Sequence, residues 1–200
     1  MFIRNEDTIC APATVPGTGA ISVIRVSGPE SLVIADKLIS TRKGPISEAP
    51  GYSIRFGTIT AHDGSVIDEI LVSIFRAPHS YTGEDSVEIS CHASSYIVSS
   101  VMELLHEAGA RAAEPGEFTQ RAYLNGKMDL SEAEAVMSLI SATGEDARAA
   151  TLNALDGNLS REITECRDSL ARTAAFLAAW VDYPDEEIPE ISNDEMISSF

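Results

Sequence analysis

Apolar and polar residues alternate through much of the first two thirds of the chain and then change to three- and four-residue spacing, so strands are expected first and helices afterwards. Ala20-Ile-Ser-Val-Ile-Arg-Val26 is β-branched and partly alternating, which predicts a strand. It leads into Ser27-Gly-Pro-Glu30, the spacing of a capping box, and a helix is predicted from there to about Ile39. Tyr52-Ser-Ile-Arg-Phe-Gly-Thr-Ile59 and Val66 to Phe75 flank Asp63-Gly64, a dipeptide that accepts positive φ and suits a tight hairpin. Ser86 to Cys91 reads as another strand. Tyr96, Ile97, Val101, Leu104, Leu105 and Ala108 then recur at helical spacing until Gly109 stops them.

Beyond about residue 130 the pattern is helical only. Ser131-Glu-Ala-Glu134 has capping-box spacing and precedes Val136, Met137 and Ile140, with Gly144 and Gly157 as breaks. A long helix is predicted from Leu159 to about Val181, carrying Ile163, Cys166, Leu170, Phe176 and Leu177 and closed by Tyr183-Pro184. Charge shifts at the same place: residues 1–130 hold 10 basic and 16 acidic side chains, residues 131–200 hold 4 and 15. The pattern predicts an α+β domain followed by an all-helical segment, with the boundary near 120–130. Asp182 to Glu195, with seven acids and no base, reads as a solvated linker.

Over 200 residues the net charge is −17, which opposes binding of a polyanion by bulk charge; any nucleic-acid contact must be local or supplied by a partner. A hydrophobic fraction of 44% supplies a core and excludes disorder by composition. The longest apolar run, Ala174 to Val181, falls far short of the roughly 20 residues a bilayer needs. No membrane span or signal peptide is expected. Cys10, Cys91 and Cys166 are odd in number and widely spaced, which fits a reducing cytoplasm better than a disulfide framework.

Little in the chain looks catalytic. Pro16-Gly-Thr-Gly19 precedes a strand, whereas a phosphate loop sits between a strand and a helix, so a turn is the better reading. G-x-x-x-x-G-K-[S/T] occurs nowhere, and nothing else looks able to hold a nucleoside triphosphate. Cys91 and His92 are neighbours on a strand and point to opposite faces, which disfavours a nucleophile–base pair. His62, His79, His92 and His106 show no metal-binding spacing with each other or with the cysteines, so no metal site is expected. Three charges interrupt apolar or turn segments: Arg25, Glu88 and Lys127. They read either as polar faces of half-buried strands with an exposed turn lysine, or as a binding site.

Six blocks decide where to look further. Asp7-Thr-Ile-Cys-Ala-Pro-Ala-Thr14, Gly19-Ala-Ile-Ser-Val-Ile-Arg-Val-Ser-Gly28, Ser80-Tyr-Thr-Gly-Glu-Asp85, Glu114-Pro-Gly-Glu-Phe-Thr-Gln-Arg-Ala-Tyr-Leu-Asn-Gly-Lys127, Asp129-Leu-Ser-Glu-Ala-Glu-Ala135 and Asp182-Tyr-Pro-Asp-Glu-Glu-Ile188 occur in order. In these blocks the chain resembles the N-terminal part of the tRNA-modification GTPases of the MnmE/TrmE family, once called thiophene and furan oxidation proteins. The resemblance implies a folate-binding, aminomethyltransferase-like α+β domain over residues 1–120. Residues 121–200 would then be the first part of a helical domain, ending before an inserted Ras-like GTPase domain.

It also implies a homodimer that binds 5-formyltetrahydrofolate or a related reduced folate through Arg25, Glu88 and Lys127. GTP, Mg and K would belong to the GTPase domain alone, leaving this chain inactive on GTP and without catalytic residues of its own. With the FAD-dependent partner MnmG/GidA, the family places a carboxymethylaminomethyl or aminomethyl group on C5 of the wobble uridine of certain tRNAs. The chemistry suits the ligand: a reduced pterin presents an N–H beside an exocyclic amine, a donor pair one carboxylate can accept, and its benzoylglutamate tail is anionic. Cys91-His92-Ala93-Ser94-Ser95 departs from the Cys-His-Gly-Gly usual in the family. A dimerisation module without a folate pocket and a free-standing folate-dependent one-carbon transferase are the alternative functions.

Overall fold

The computed structural model describes residues 6–141, 144–145, 152, 155 and 157–182. The chain divides into two compact units, residues 1–128 and 129–200.

The first unit is built on a seven-stranded sheet. Its strands are β1 (Ile9–Pro12), β2 (Ile21–Ser27), β3 (Ile39–Thr41), β4 (Ser53–Thr60), β5 (Val66–Phe75), β6 (Ser86–His92) and β7 (Arg111–Ala112), in the spatial order β3-β4-β5-β6-β2-β1-β7. Pairing is antiparallel throughout except between β1 and β7. The hairpin at Asp63-Gly64 joins β4 to β5 as expected: Gly64 takes φ +81°, and Asp63 Oδ1 accepts the amide of Ser65 at 2.9 Å.

Helices α1 (Ser31–Leu38) and α2 (Ser95–Glu107) supply Leu32, Ile34, Val101, Leu104 and Leu105 to the core. These join Ile24, Val26, Val72, Ile74, Val87 and Ile89 from the strands. The cross-strand register puts Ile24, Val72 and Ile89 in one row, so those strand residues share a face. The opposite face carries the rows Phe56, Leu71, Ser90, Val23 and Ile54, Ser73, Glu88, Arg25. There Ile21, Ile54, Phe56 and Leu71 are exposed.

Both expected caps are replaced by others. Ser27 does not cap α1, because as the last residue of β2 its hydroxyl is already committed to Glu84 Oε2 (2.8 Å) and Thr82 Oγ1 (2.6 Å). The amide of Glu30 at the start of α1 is instead met from the residue before β1, where Thr8 Oγ1 accepts it at 2.9 Å. Gly28 permits that approach: its φ is +131°, and a Cβ there would lie 2.7 Å from the Asp7 carbonyl oxygen and the Thr8 Cα.

In the second unit, α4 (Leu130–Ser141) opens on Asp129 and Glu132 rather than Ser131 and Glu134. The Asp129 amide donates to Glu132 Oε2 at 2.6 Å and the Glu132 amide to Asp129 Oδ1 at 2.9 Å, a reciprocal capping box. The long helix α5 spans Asn158–Asp182 after Gly157 at φ +73°. Tyr183-Pro184 and nearly all of the acidic stretch lie outside the described residues.

Helix α3 (Glu117–Leu124) belongs to the first unit and crosses position 120/121, where the domain division was expected. Its buried residues are Arg121 and Ala122, too few for a helical period to show in the sequence. Arg121 has no exposed surface. Its Nη2 donates to Asp7 Oδ1 (2.6 Å) and Glu117 Oε1 (3.1 Å), and its Nη1 to the Asp7 carbonyl (2.8 Å) and Glu84 Oε1 (3.2 Å). Arg111 closes the cluster from β7, with Nε on Asp7 Oδ2 and Nη2 on Glu117 Oε1.

The hydrogen bond from Arg111 holds the Asp7 carboxyl below its ordinary value of 3.8. For Glu117 burial acts upward, but hydrogen bonds from Arg111, the Glu114 amide and Arg121 outweigh it and the net shift is down. Depressed carboxylates contribute stability above their unfolded-state values and lose it as pH falls through the folded-state values. Denaturant midpoints should therefore be flat near neutrality and fall once pH drops below about 4. Arg121→Met, which takes the buried guanidinium from Asp7, Glu84 and Glu117 and leaves Arg111 as the remaining cation on Asp7 and Glu117, should cost about 3–5 kcal/mol by urea unfolding at pH 7. A cost under about 1 kcal/mol would show that the cluster does not stabilise the fold.

Candidate functional site

Arg25 and Glu88 are direct cross-strand partners at the middle of β2 and β6, on the face that α1 and α2 leave open. Both guanidinium donors reach one oxygen: Nε lies 2.9 Å and Nη2 2.7 Å from Glu88 Oε1. Among the described residues Oε2 of Glu88 accepts no hydrogen bond. The Arg25 guanidinium carbon lies 4.8 Å from the Tyr81 ring centre and 5.5 Å from that of Phe118. Such cation–π contacts are worth about 0.5–2 kcal/mol each, depending on desolvation. Tyr81 comes from the segment between β5 and β6 and Phe118 from α3; the Tyr81 hydroxyl reaches Thr119 Oγ1 at 2.9 Å.

Lys127 touches neither Arg25 nor Glu88 directly. It is fastened to the 76–85 segment that carries Tyr81: Nζ donates to the Pro78 carbonyl at 3.0 Å, and its stem runs beside Gly83. That segment is held at both ends. Arg76 donates to the Ala49 and Ser47 carbonyls and to Asp85, Thr82 is buried with its carbonyl on Asn125 Nδ2 at 2.7 Å, and Glu84 meets Arg121. Arg25 and Glu88 thus form one pair, and Lys127 joins them only through the loop.

The Cys91–His92 neighbours face apart. Cys91 is buried, and burial followed by the Asp68 charge pushes its thiol up, which disfavours the thiolate. His92 instead bonds Asp68 through its amide (2.7 Å) and Nδ1 (2.6 Å). Burial likewise pushes the Cys10 thiol up to about 11. All three cysteines are free, and the described residues hold no cluster of three metal-ligating side chains.

Residues 14–18 lie on the approach to β2 and, with Ser95, Val98 and Ser99 of α2, line a cavity of about 280 Å³. At Ala93, Ser94 and Ser95 no backbone φ is positive, so the side chains that replace the usual glycines carry no conformational penalty.

A family model described as the GTP-binding protein TrmE N-terminus matches residues 8–127, and a second, described as the MnmE helical domain, matches residues 130–200. The chain belongs to the MnmE/TrmE family. It is 49% identical over 187 residues to the tRNA modification GTPase MnmE of Bacteroides fragilis, covering 92% of this chain and 40% of that protein. To the protein of that name from Moorella thermoacetica it is 46% identical over 193 residues, 96% of this chain and 42% of the relative. For Phocaeicola vulgatus the figures are 41% over 232 residues, 100% and 46%. The chain therefore spans less than half the length of these relatives.

Against the MnmE/TrmE resemblance, the residues that sequence reasoning did not single out are Tyr81, Phe118 and Arg121. Each lies inside a block the resemblance rests on, Ser80 to Asp85 or Glu114 to Lys127, so the signal was present as motif and absent as periodicity. Gly83 offers a local check on how the loop holds Lys127. Its φ is +80°, and a Cβ would lie 3.1 Å from Asn125 Cβ and 3.2 Å from Lys127 Cγ. Gly83→Ala should cost about 1–2 kcal/mol in thermal unfolding, from the left-handed conformation alone. An unchanged melting temperature would mean the loop relaxes freely.

Proposed function

We propose that this chain is the reduced-folate-binding and dimer-forming portion of a cytoplasmic tRNA-modifying GTPase. In this reading it serves modification at C5 of a wobble uridine together with an FAD-dependent MnmG/GidA protein. GTP hydrolysis, with its Mg and K, is assigned to parts of the protein outside these 200 residues, since no phosphate-loop sequence occurs within them. Among the described residues no helix is long and apolar enough to cross a membrane.

The observation that carries the folate reading is the Arg25–Glu88 pair with its guanidinium against the Tyr81 and Phe118 rings. A carboxylate with one oxygen on Arg25 and the other unengaged accepts a donor edge without losing its counter-charge. Tyr81 and Phe118 flank the pair with flat apolar surface suited to a heterocycle. Lys127, exposed and among the described residues bonded only to a carbonyl, is available to the anionic tail. The donor set therefore fits a reduced folate, which when bound would supply a one-carbon unit.

Glu88→Ala should weaken binding of 5-formyltetrahydrofolate by about 10- to 150-fold in calorimetry, the equivalent of one charge-assisted hydrogen bond of roughly 1.5–3 kcal/mol. Equal affinity of wild type and variant would remove Glu88 from the site.

The dimer reading has its own support. The open sheet face exposes Ile21, Ile54, Phe56 and Leu71, and residues 1–130 carry much less net charge than 131–200, so two such faces repel each other less. Phe56→Glu combined with Leu71→Glu should shift the light-scattering mass from twice 21.4 kDa to the monomer value. A wild-type mass already at 21.4 kDa, or a variant that stays dimeric, contradicts this interface.

A further inference from the structure

Cations are scarce in this chain, 14 against 31 acids, yet Lys37, Arg42, Lys43 and Arg55 fall within residues 37–55 with only Glu48 opposing them. The fold keeps them together. Lys37 ends α1, β3 follows as the edge strand, and Arg42 and Lys43 occupy the turn that leaves it. Arg55 on β4 donates to the Lys43 carbonyl at 2.7 Å and pins that turn to the sheet. Lys37, Arg42 and Lys43 are exposed, and among the described residues none of the three makes an ion pair.

Beside them lies an open cavity of about 530 Å³ whose lining includes Lys37, Ser40, Thr41, Gly44, Ser47 and Asp36. Asp36 is the one acid in the lining, and its carboxylate already accepts the amides of Ile46 and Ser47. The remaining polar side chains of the lining are one cation, Lys37, and the hydroxyls of Ser40, Thr41, Ser47 and Thr60, beside Leu38, Ile39 and Pro45. No aromatic side chain lines the cavity, so it offers no platform on which a base could stack.

We propose that this edge of the first unit, with Lys37 in the cavity lining and Arg42 and Lys43 in the turn after β3, binds the phosphate backbone of an RNA. The inference rests on the reading of the chain as part of a tRNA-modifying protein and adds to it a contact made by this chain itself. Lysine and arginine neutralise phosphates, hydroxyls complete the oxygen contacts, and neither demands a particular base. The acidity of the rest of the chain does not forbid it. At physiological salt charges more than about 8–10 Å away are largely screened, so a phosphate at this edge meets the local cations first.

The test is fluorescence anisotropy of the 200-residue chain with a labelled, unmodified tRNA transcript between about 50 and 200 mM salt. The triple change Lys37→Ala, Arg42→Ala, Lys43→Ala should weaken binding at least about tenfold at the low-salt end. It should also reduce the slope of log K against log salt by about two to three, one unit per lost phosphate contact. Arg161→Ala with Arg167→Ala on α5 should alter neither, and melting temperatures should stay equal because all these side chains are on the surface.

Absence of RNA binding by wild type, equal binding by the triple variant, or an equal loss in the α5 variant each overturns the proposal. So does capture by phosphatidylserine vesicles without capture of tRNA, which would assign the patch to a membrane. Titrating the same preparations with 5-formyltetrahydrofolate separates the two readings. RNA binding that survives where folate fails to bind removes the folate site alone, and the converse removes the RNA edge alone.

Discussion

A guanidinium with no surface in water has to be met by charge and hydrogen bonds inside the protein, because the cost of burying it bare is several kcal/mol. Arg121 is in that position, and the groups that meet it come from three separated stretches: Asp7 before β1, Glu84 before β6, and Glu117 on its own helix. Satisfying it therefore fixes where α3 and the 76–85 segment lie against the edge of the sheet. From that follows the position of Tyr81 over Arg25, of Phe118 beside it, and of Lys127 on the Pro78 carbonyl. Arg121 Nε remains without a partner, so the cluster is not optimised for stability. A well-packed apolar replacement of such clusters is often neutral, which leaves placement of the loop and helix as the physical return.

The parts of the fold legible in the sequence are those in which each residue's burial follows from its own element. β2, β4, β5, β6 and α2 announce themselves through alternation or helical spacing, since one face of each meets a core, and α5 shows helical spacing although Ile163, Leu170 and Leu177 are exposed. Caps were not legible. Ser27 has the right spacing but is drawn away by Glu84 and Thr82, and Thr8, which meets the Glu30 amide at the start of α1, lies 22 residues before it. Short β1, β3 and β7 and the polar α3 carry too few apolar positions to set a period.

For the site, Arg25 and Glu88 stand out because each interrupts an apolar strand, but their pairing is a matter of register between β2 and β6. Tyr81 and Phe118 are ordinary aromatics until the loop is placed. Arg121 looks in sequence like any surface arginine of a polar helix; only the packing of separate segments around it buries it.

A sheet that α1 and α2 cover on one face only has two further consequences. Its open face brings Arg25 and Glu88 to the surface among exposed apolar residues, so a polar pair sits where the surroundings lower the local dielectric and strengthen what it binds. Its edge, β3, lies three strands from β6 in the order β3-β4-β5-β6, which at about 4.8 Å per strand is roughly 14 Å. That separation exceeds the Debye length of about 8 Å at physiological salt. The Arg25–Glu88 pair and the cations around Lys43 therefore act on anionic ligands as electrostatically separate sites, and changes at the two should add rather than couple. In the proposed reading an acidic chain holds a folate at its open face and a phosphate backbone at its edge, because each ligand meets the few charges within screening distance and not the net charge of the whole.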